Sequence, residues 1–146
     1  MAKLNAARTA QYLMEAEFTF NFDDTIADIN GVTKSFGSTY TDLPVATILN
    51  LPEGAVVVGG EVVVESAYVG PTAATISIGD SVSANRYANA VDLKTAARTA
   101  LTLTGFRAAE NLRMTLNTTV ANATAGKATV RVLFVQQNRA NEAVPN

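Results

Sequence analysis

The sequence predicts an all-β, single-domain antiparallel β-sandwich of about eight strands, and three observations carry that reading. Short runs alternate apolar and polar residues with period two, most clearly Tyr12–Phe22, Thr72–Gly79 and Leu112–Val120. This is the spacing of half-buried strands. Further runs are β-branched, as in Ala55–Val58 and Glu61–Glu65. Gly and Pro clusters punctuate them at Pro52-Glu53-Gly54, Gly59-Gly60 and Gly70-Pro71, where turns belong. The chain has 146 residues, the size of one domain with a core of its own.

The elements follow in order. Residues 1–11 are polar and weakly basic, with Lys3 and Arg8 and no acid; they read as a flexible arm able to order on a partner. Tyr12–Phe22 places Met14, Ala16, Phe18, Phe20 and Phe22 on one face and Glu15, Glu17, Thr19 and Asn21 on the other, so three phenylalanines enter the core. Asp23–Asp42 reads as loops around a short strand. Val45–Leu51 is a second apolar stretch, stopped at Pro52. Gly59-Gly60 is either a hairpin turn or a bulge in one long bent strand, since glycine allows both.

Gly70-Pro71 turns the chain into Thr72–Gly79, where Ala74, Ile76 and Ile78 face one way. Asp80–Leu93 is a long polar loop with Arg86 and Tyr87 at its centre, and such loops commonly carry function. Val91–Ala100 is compatible with a short helix capped by Asp92, and Leu101 and Leu103 open a further strand. Leu112–Val120 alternates, Asn122–Lys127 reads as a hairpin loop, and Ala128–Val135 is a strand buried on both sides near its end. Residues 136–146 form a polar tail containing Arg139. The domain division is therefore arm 1–11, sandwich 12–135 and tail 136–146.

Composition excludes most chemistry. The chain contains no Cys and no His, so it has no disulfide framework, no His-based nucleophile pair and no usual zinc ligand set. A net charge of −2 argues against a nucleic-acid binder, and no apolar run reaches the length of a membrane span. No secretory h-region follows Lys3, so synthesis and folding in the cytoplasm are expected. Asp24, Asp28, Asn30 and Gly31 suggest a calcium loop, but placing Gly31 sixth puts Ile26 first and Gly37 twelfth, which supplies no ligands there. Paired carboxylates at Glu15/Glu17 and Glu61/Glu65 fit solvated strand faces better than a glycosidase pair, which must oppose across a cleft. No catalytic residue, metal site or cofactor is expected.

Charge is unevenly divided. Residues 1–73 hold three basic and nine acidic groups, and residues 74–146 hold eight basic and four acidic. A two-sheet fold that interleaves the halves would mix them.

Three features together carry a resemblance. A Leu-Pro-x-Gly turn precedes a Val-rich pair at Leu51–Val64, a Thr-x-Ser-x-Gly-Asp strand end lies at Thr75–Asp80, and an Asn-Arg-Tyr-Ala loop follows at Asn85–Ala88. Over roughly residues 44–93 this resembles the jelly-roll capsid decoration (cement) proteins of tailed bacteriophages, a group that includes the Bordetella phage cement protein. The resemblance implies a jelly roll, no catalysis, a virion location on the outer capsid surface and the major capsid protein as partner. It also implies a homo-oligomer, with a dimer favoured because symmetric self-contact suits symmetry-related lattice sites. The contact elements would be the arm, the Asp80–Leu93 loop and the tail, with Lys3, Arg8, Arg86, Tyr87 and Arg139 as the contact residues. Arg and Tyr are favoured at interface hot spots. The alternatives are a phage tail or head-fibre/receptor-binding component, or a carbohydrate-binding β-sandwich.

Overall fold

The structure is a computed structural model that describes residues 13–40, 45–108 and 111–136. These residues form eleven strands and no helix. They are β1 (Met14–Asn21), β2 (Thr25–Ala27), β3 (Thr33–Ser35), β4 (Val45–Leu49), β5 (Ala55–Val69), β6 (Ala73–Gly79), β7 (Ala88–Asp92), β8 (Arg98–Ala100), β9 (Arg107–Ala108), β10 (Leu112–Thr119) and β11 (Ala125–Gln136).

Two antiparallel sheets make the sandwich. One runs β1-β11-β5-β8, with β9 also paired to β5; the other runs β4-β10-β6-β7. The β2–β3 hairpin stands apart from both. Without β2, β3 and β9, eight strands remain, paired first with last, second with seventh, third with sixth and fourth with fifth. That nested pairing is a long hairpin rolled into two sheets, the jelly roll. Except for β6 to β7, every connection among the eight changes sheet.

The alternation seen in the sequence becomes the core. Phe20, Val62, Val64, Ala128, Val130 and Val132 of the first sheet meet Ala74, Ile76, Ile78, Met114 and Leu116 of the second. Phe20 is 1% exposed, and its ring centroid lies 4.6 Å from that of Phe36 and 5.8 Å from that of Phe18. Phe18, Met14 and Ala16 are only half-buried against this core, because β1 is the last strand of its sheet.

Gly59-Gly60 lies inside one long strand, β5. The register shifts opposite it between Leu133 and Phe134, so the bulge alternative holds. Gly60 has φ +140, and a Cβ there would drive into the Arg131 carbonyl and lie 2.8 Å from Leu101 Cδ1. Only glycine lets β11 approach so closely.

The structure corrects two other expectations. Asn122–Lys127 is not a hairpin loop: β10 and β11 belong to different sheets, residues 120–124 turn the corner between them, and Ala125–Lys127 already belong to β11. At its start Val120 has φ +74, and the Ala121 N–H bonds to the Thr119 carbonyl at 3.0 Å. This is a γ-turn of the strained, positive-φ kind. Residues 91–100 form no helix but the end of β7, a bend and β8. Asp92 accepts the Lys94 N–H at 3.0 Å and the Thr95 hydroxyl at 2.9 Å, a turn built from the same side chain that would cap a helix.

Candidate partner-contact surface

The Asp80–Tyr87 connection is organised around one buried carboxylate. Gly79 precedes it at a point where any Cβ would collide with the Ser83 backbone, so the chain can fold straight back on itself. Asp80 Oδ1 accepts the Val82 and Ser83 N–H groups at 2.9 and 2.8 Å, and Arg86 Nε donates to Oδ2 at 2.5 Å. Burial pushes the Asp80 carboxyl up, but the Arg86 guanidinium and the two backbone amides outweigh it and hold it below its ordinary value. The Arg86 guanidinium also lies 3.7 Å from the Phe106 ring centroid. A cation over an aromatic face is worth about 0.5–2 kcal/mol, so this contact ties the 80–87 connection to the segment before β9.

Tyr87 and Arg86, expected as contact residues, are therefore turned inward. Tyr87 is 1% exposed; its N–H bonds to Ile78 O and its carbonyl takes the Thr102 N–H. Its hydroxyl has no hydrogen-bond partner among the described residues. Its ring fills the core, and Arg86 is spent on Asp80 and Phe106. The exposed tip is instead Ser81, Val82, Ala84 and Asn85. Lys3, Arg8 and Arg139 lie outside the described residues.

Of the three expected contact elements, the arm and all but the first residue of the tail lie outside the described residues, and the 80–87 connection lies at one end of the sandwich. Met14 pairs with Phe134, so the start of β1 and the end of β11 lie at the same end of the first sheet. Gly79 pairs with Arg113 and Ala55 with Gln136, which places the 50–54, 80–87 and 101–106 connections there too. Exposed apolar side chains collect on these segments: Leu13, Val82 (79% exposed), Leu103 and Phe106. Sequence reasoning missed Leu103 and Phe106, since Leu103 reads as strand. The opposite end carries Val69 and Val120 as exposed apolar residues.

The outer face of the first sheet is polar and paired. Arg131, central on β11, reaches Glu15 at 2.8 Å, Glu17 at 2.9 Å and Glu61 at 3.2 Å. Arg98 holds Glu61 at 2.6 Å, and Lys127 holds Glu65 at 2.5 Å. The Arg98 hydrogen bond is the main reason the Glu61 carboxyl is lowered, and Lys127 with Thr129 lowers Glu65. Acidic strands from the first half of the chain thus flank a basic strand from the second half, which mixes the charges. The four glutamates share three cations on one strand face and are not a pair opposed across a cleft. Among the described residues no group of three or more acidic, His or Cys side chains could hold a metal ion.

Fold and surface together define an eight-stranded jelly-roll sandwich with the 50–54, 80–87 and 101–106 connections gathered at one pole. No protein-family model matches the chain, and no curated protein does. Solved structures do share the fold. A chain of the cyanophage Pam1 capsid asymmetric unit matches with a TM-score of 0.57 at 24% identity, covering 92% of this chain and 94% of that one. A chain of the acidic stable capsid of Helicobacter pylori bacteriophage KHP30 matches with a TM-score of 0.51 at 16% identity, covering 86% and 93%. A chain of the Ralstonia phage GP4 capsid matches at 0.50 and 14% identity, covering 94% and 90%. In each case the likeness spans nearly the whole of both chains.

Proposed function

We propose that this chain is a structural virion protein that decorates the outer surface of a bacteriophage capsid and reinforces it by binding the major capsid protein. The observation that carries this reading is the whole-length likeness of the jelly roll to chains of similar size in three phage capsid structures. A decorating protein needs a rigid body and a contact surface, and no catalytic centre. The pole carrying the 80–87 and 101–106 connections, where β1 starts and β11 ends, is that surface in this proposal. Many weak contacts repeated over a lattice then add up to a strong one. The protein would act as a homodimer, made in the host cytoplasm and carried on the virion.

The test uses shells from which the protein has been stripped and the purified protein added back. Val82→Asp with Leu103→Asp places two charges on the proposed contact pole without touching the core, since both side chains are exposed. The double variant should fold with an unchanged denaturation midpoint and bind shells at least tenfold more weakly, the effect of about 1.4 kcal/mol. Undiminished binding would remove this pole from the contact. Failure of the unaltered protein to bind shells would overturn the decoration reading.

A further inference from the structure

Among the described residues, no strand pairs with the edge of β1 that faces away from β11. The Phe22 N–H points to β11, where it bonds Gly126 O at 3.0 Å. The Asn21 N–H and carbonyl point the other way, to Asp24. Backbone direction alternates along a strand, so the N–H and C=O groups of Glu15, Glu17 and Thr19 also point away from β11. None of them has a hydrogen-bond partner among the described residues.

Natural sheets blunt such edges with proline, lysine, bulges or very short strands. Apart from the charges of Glu15 and Glu17, β1 has none of these: it is eight residues long, carries no Pro or Lys, and pairs with β11 in unbroken register. The core beside it is incompletely closed, with Met14, Ala16 and Phe18 of β1 and Ile48 of β4 only half-buried. On the outer side Glu15 and Glu17 share one cation, Arg131, which also serves Glu61, so the edge has an excess of carboxylate. A strand that added here would need apolar side chains inward and polar or basic ones outward.

Residues 1–12 of this chain have that pattern. Counting back from β1 in the same parity, Leu4, Ala6, Ala10 and Tyr12 fall with the inward residues, and Lys3, Asn5, Thr9 and Gln11 with the outward ones. Arg8, among the inward positions, and Ala7, among the outward ones, are the exceptions. The segment carries two basic groups and no acid. Extended, it reaches about 40 Å, enough to cover an eight-residue strand of about 27 Å. Because it continues β1, two copies related by a two-fold axis beside Tyr12 would each lay this segment antiparallel along the other's β1.

We propose that two copies of this chain dimerise by exchanging residues 1–12, each segment adding a strand to the free β1 edge of the other copy. The exchange is isologous, so it closes at two copies and both edges are covered. It rests on the two-copy part of the reading above and not on the capsid, and it uses a different surface from the contact pole.

The test is made on the purified protein in solution, without shells. Glu17→Pro removes a backbone N–H that faces outward, so it costs the monomer no ladder bond and blocks only an incoming strand. Glu17→Ala removes the same ion pair but keeps the N–H. Light-scattering mass should show a dimer for the unaltered protein and Glu17→Ala, and half that mass for Glu17→Pro and for the chain lacking residues 1–11. A dimer that survives Glu17→Pro and the truncation would overturn the exchange, as would a monomeric unaltered protein. If Glu17→Pro fails to fold, amide exchange on the unaltered protein decides. The Glu15, Glu17 and Thr19 amides should exchange about tenfold or more slower as concentration rises. Rapid exchange at every concentration would overturn the proposal. Loss of the dimer leaves shell binding as a separate measurement, so the two readings can fail independently.

Discussion

Replacing Phe20 by Ala probes the seam where the first sheet meets the segment after β3. Phe20 is fully buried, with the Phe36 ring tilted against it at 4.6 Å and the Phe18 ring stacked at 5.8 Å. An aromatic side chain buries roughly 150–250 Å², and at about 25 cal/mol per Å² that corresponds to about 4 kcal/mol or more before the residual Ala contacts are subtracted. Measured Phe→Ala changes in cores run about 3–5 kcal/mol because the surroundings collapse only partly. The expected cost is therefore about 4 kcal/mol, a large share of the roughly 5–15 kcal/mol that holds a domain together. With a urea slope of about 2 kcal/mol per molar, the midpoint should fall by about 2 M. Phe18→Ala is the internal control: the ring is half-buried at the sheet edge and should cost about half as much. Equal costs for the two, or a Phe20→Ala cost below about 1 kcal/mol, would refute the packing described for β1.

Three further substitutions or conditions test other parts. Gly126→Ala would put a methyl group 2.5 Å from Tyr68 Cε2 at φ +149; overpacking and backbone strain together should cost about 2–4 kcal/mol in urea denaturation. Val120→Gly relieves a β-branched residue at φ +74 and should raise stability by about 1 kcal/mol in the same assay; a loss would mean that the exposed valine packs on something. Glu61, Glu65 and Asp80 have carboxyls held below their ordinary values. Their contribution is complete above the unfolded-state value and is lost as pH falls through the lowered one. Thermal midpoints should be flat from neutral pH to about pH 5 and drop below about pH 4. A midpoint that rises on acidification would have the sign wrong.

The strands were legible wherever the core takes every second residue. Met14–Phe22, Ala74–Ile78, Leu112–Leu116 and Ala128–Phe134 alternate because each belongs to a sheet with one face inward. Strand order was not legible, because nearly every connection in a jelly roll changes sheet, so sequence neighbours are not hydrogen-bonded neighbours. β8 and β9 have three and two residues, too short to carry a period. Asp92 misled because a carboxylate that caps a helix also closes a turn. Arg86 and Tyr87 look like surface residues in a polar loop. Their inward placement depends on Phe106 and the interior reached from Ile78, partners far enough along the chain that local pattern cannot supply them. The meeting of the start of β1 and the end of β11 with the 50–54, 80–87 and 101–106 connections at one pole likewise exists only after the strands have paired.

The most direct test of a capsid-decorating role is the copy number of this protein relative to the major shell protein in purified particles, read by quantitative mass spectrometry. Lattice decoration predicts a ratio near one, or a fixed simple fraction of it. A handful of copies per particle, or none, would contradict it.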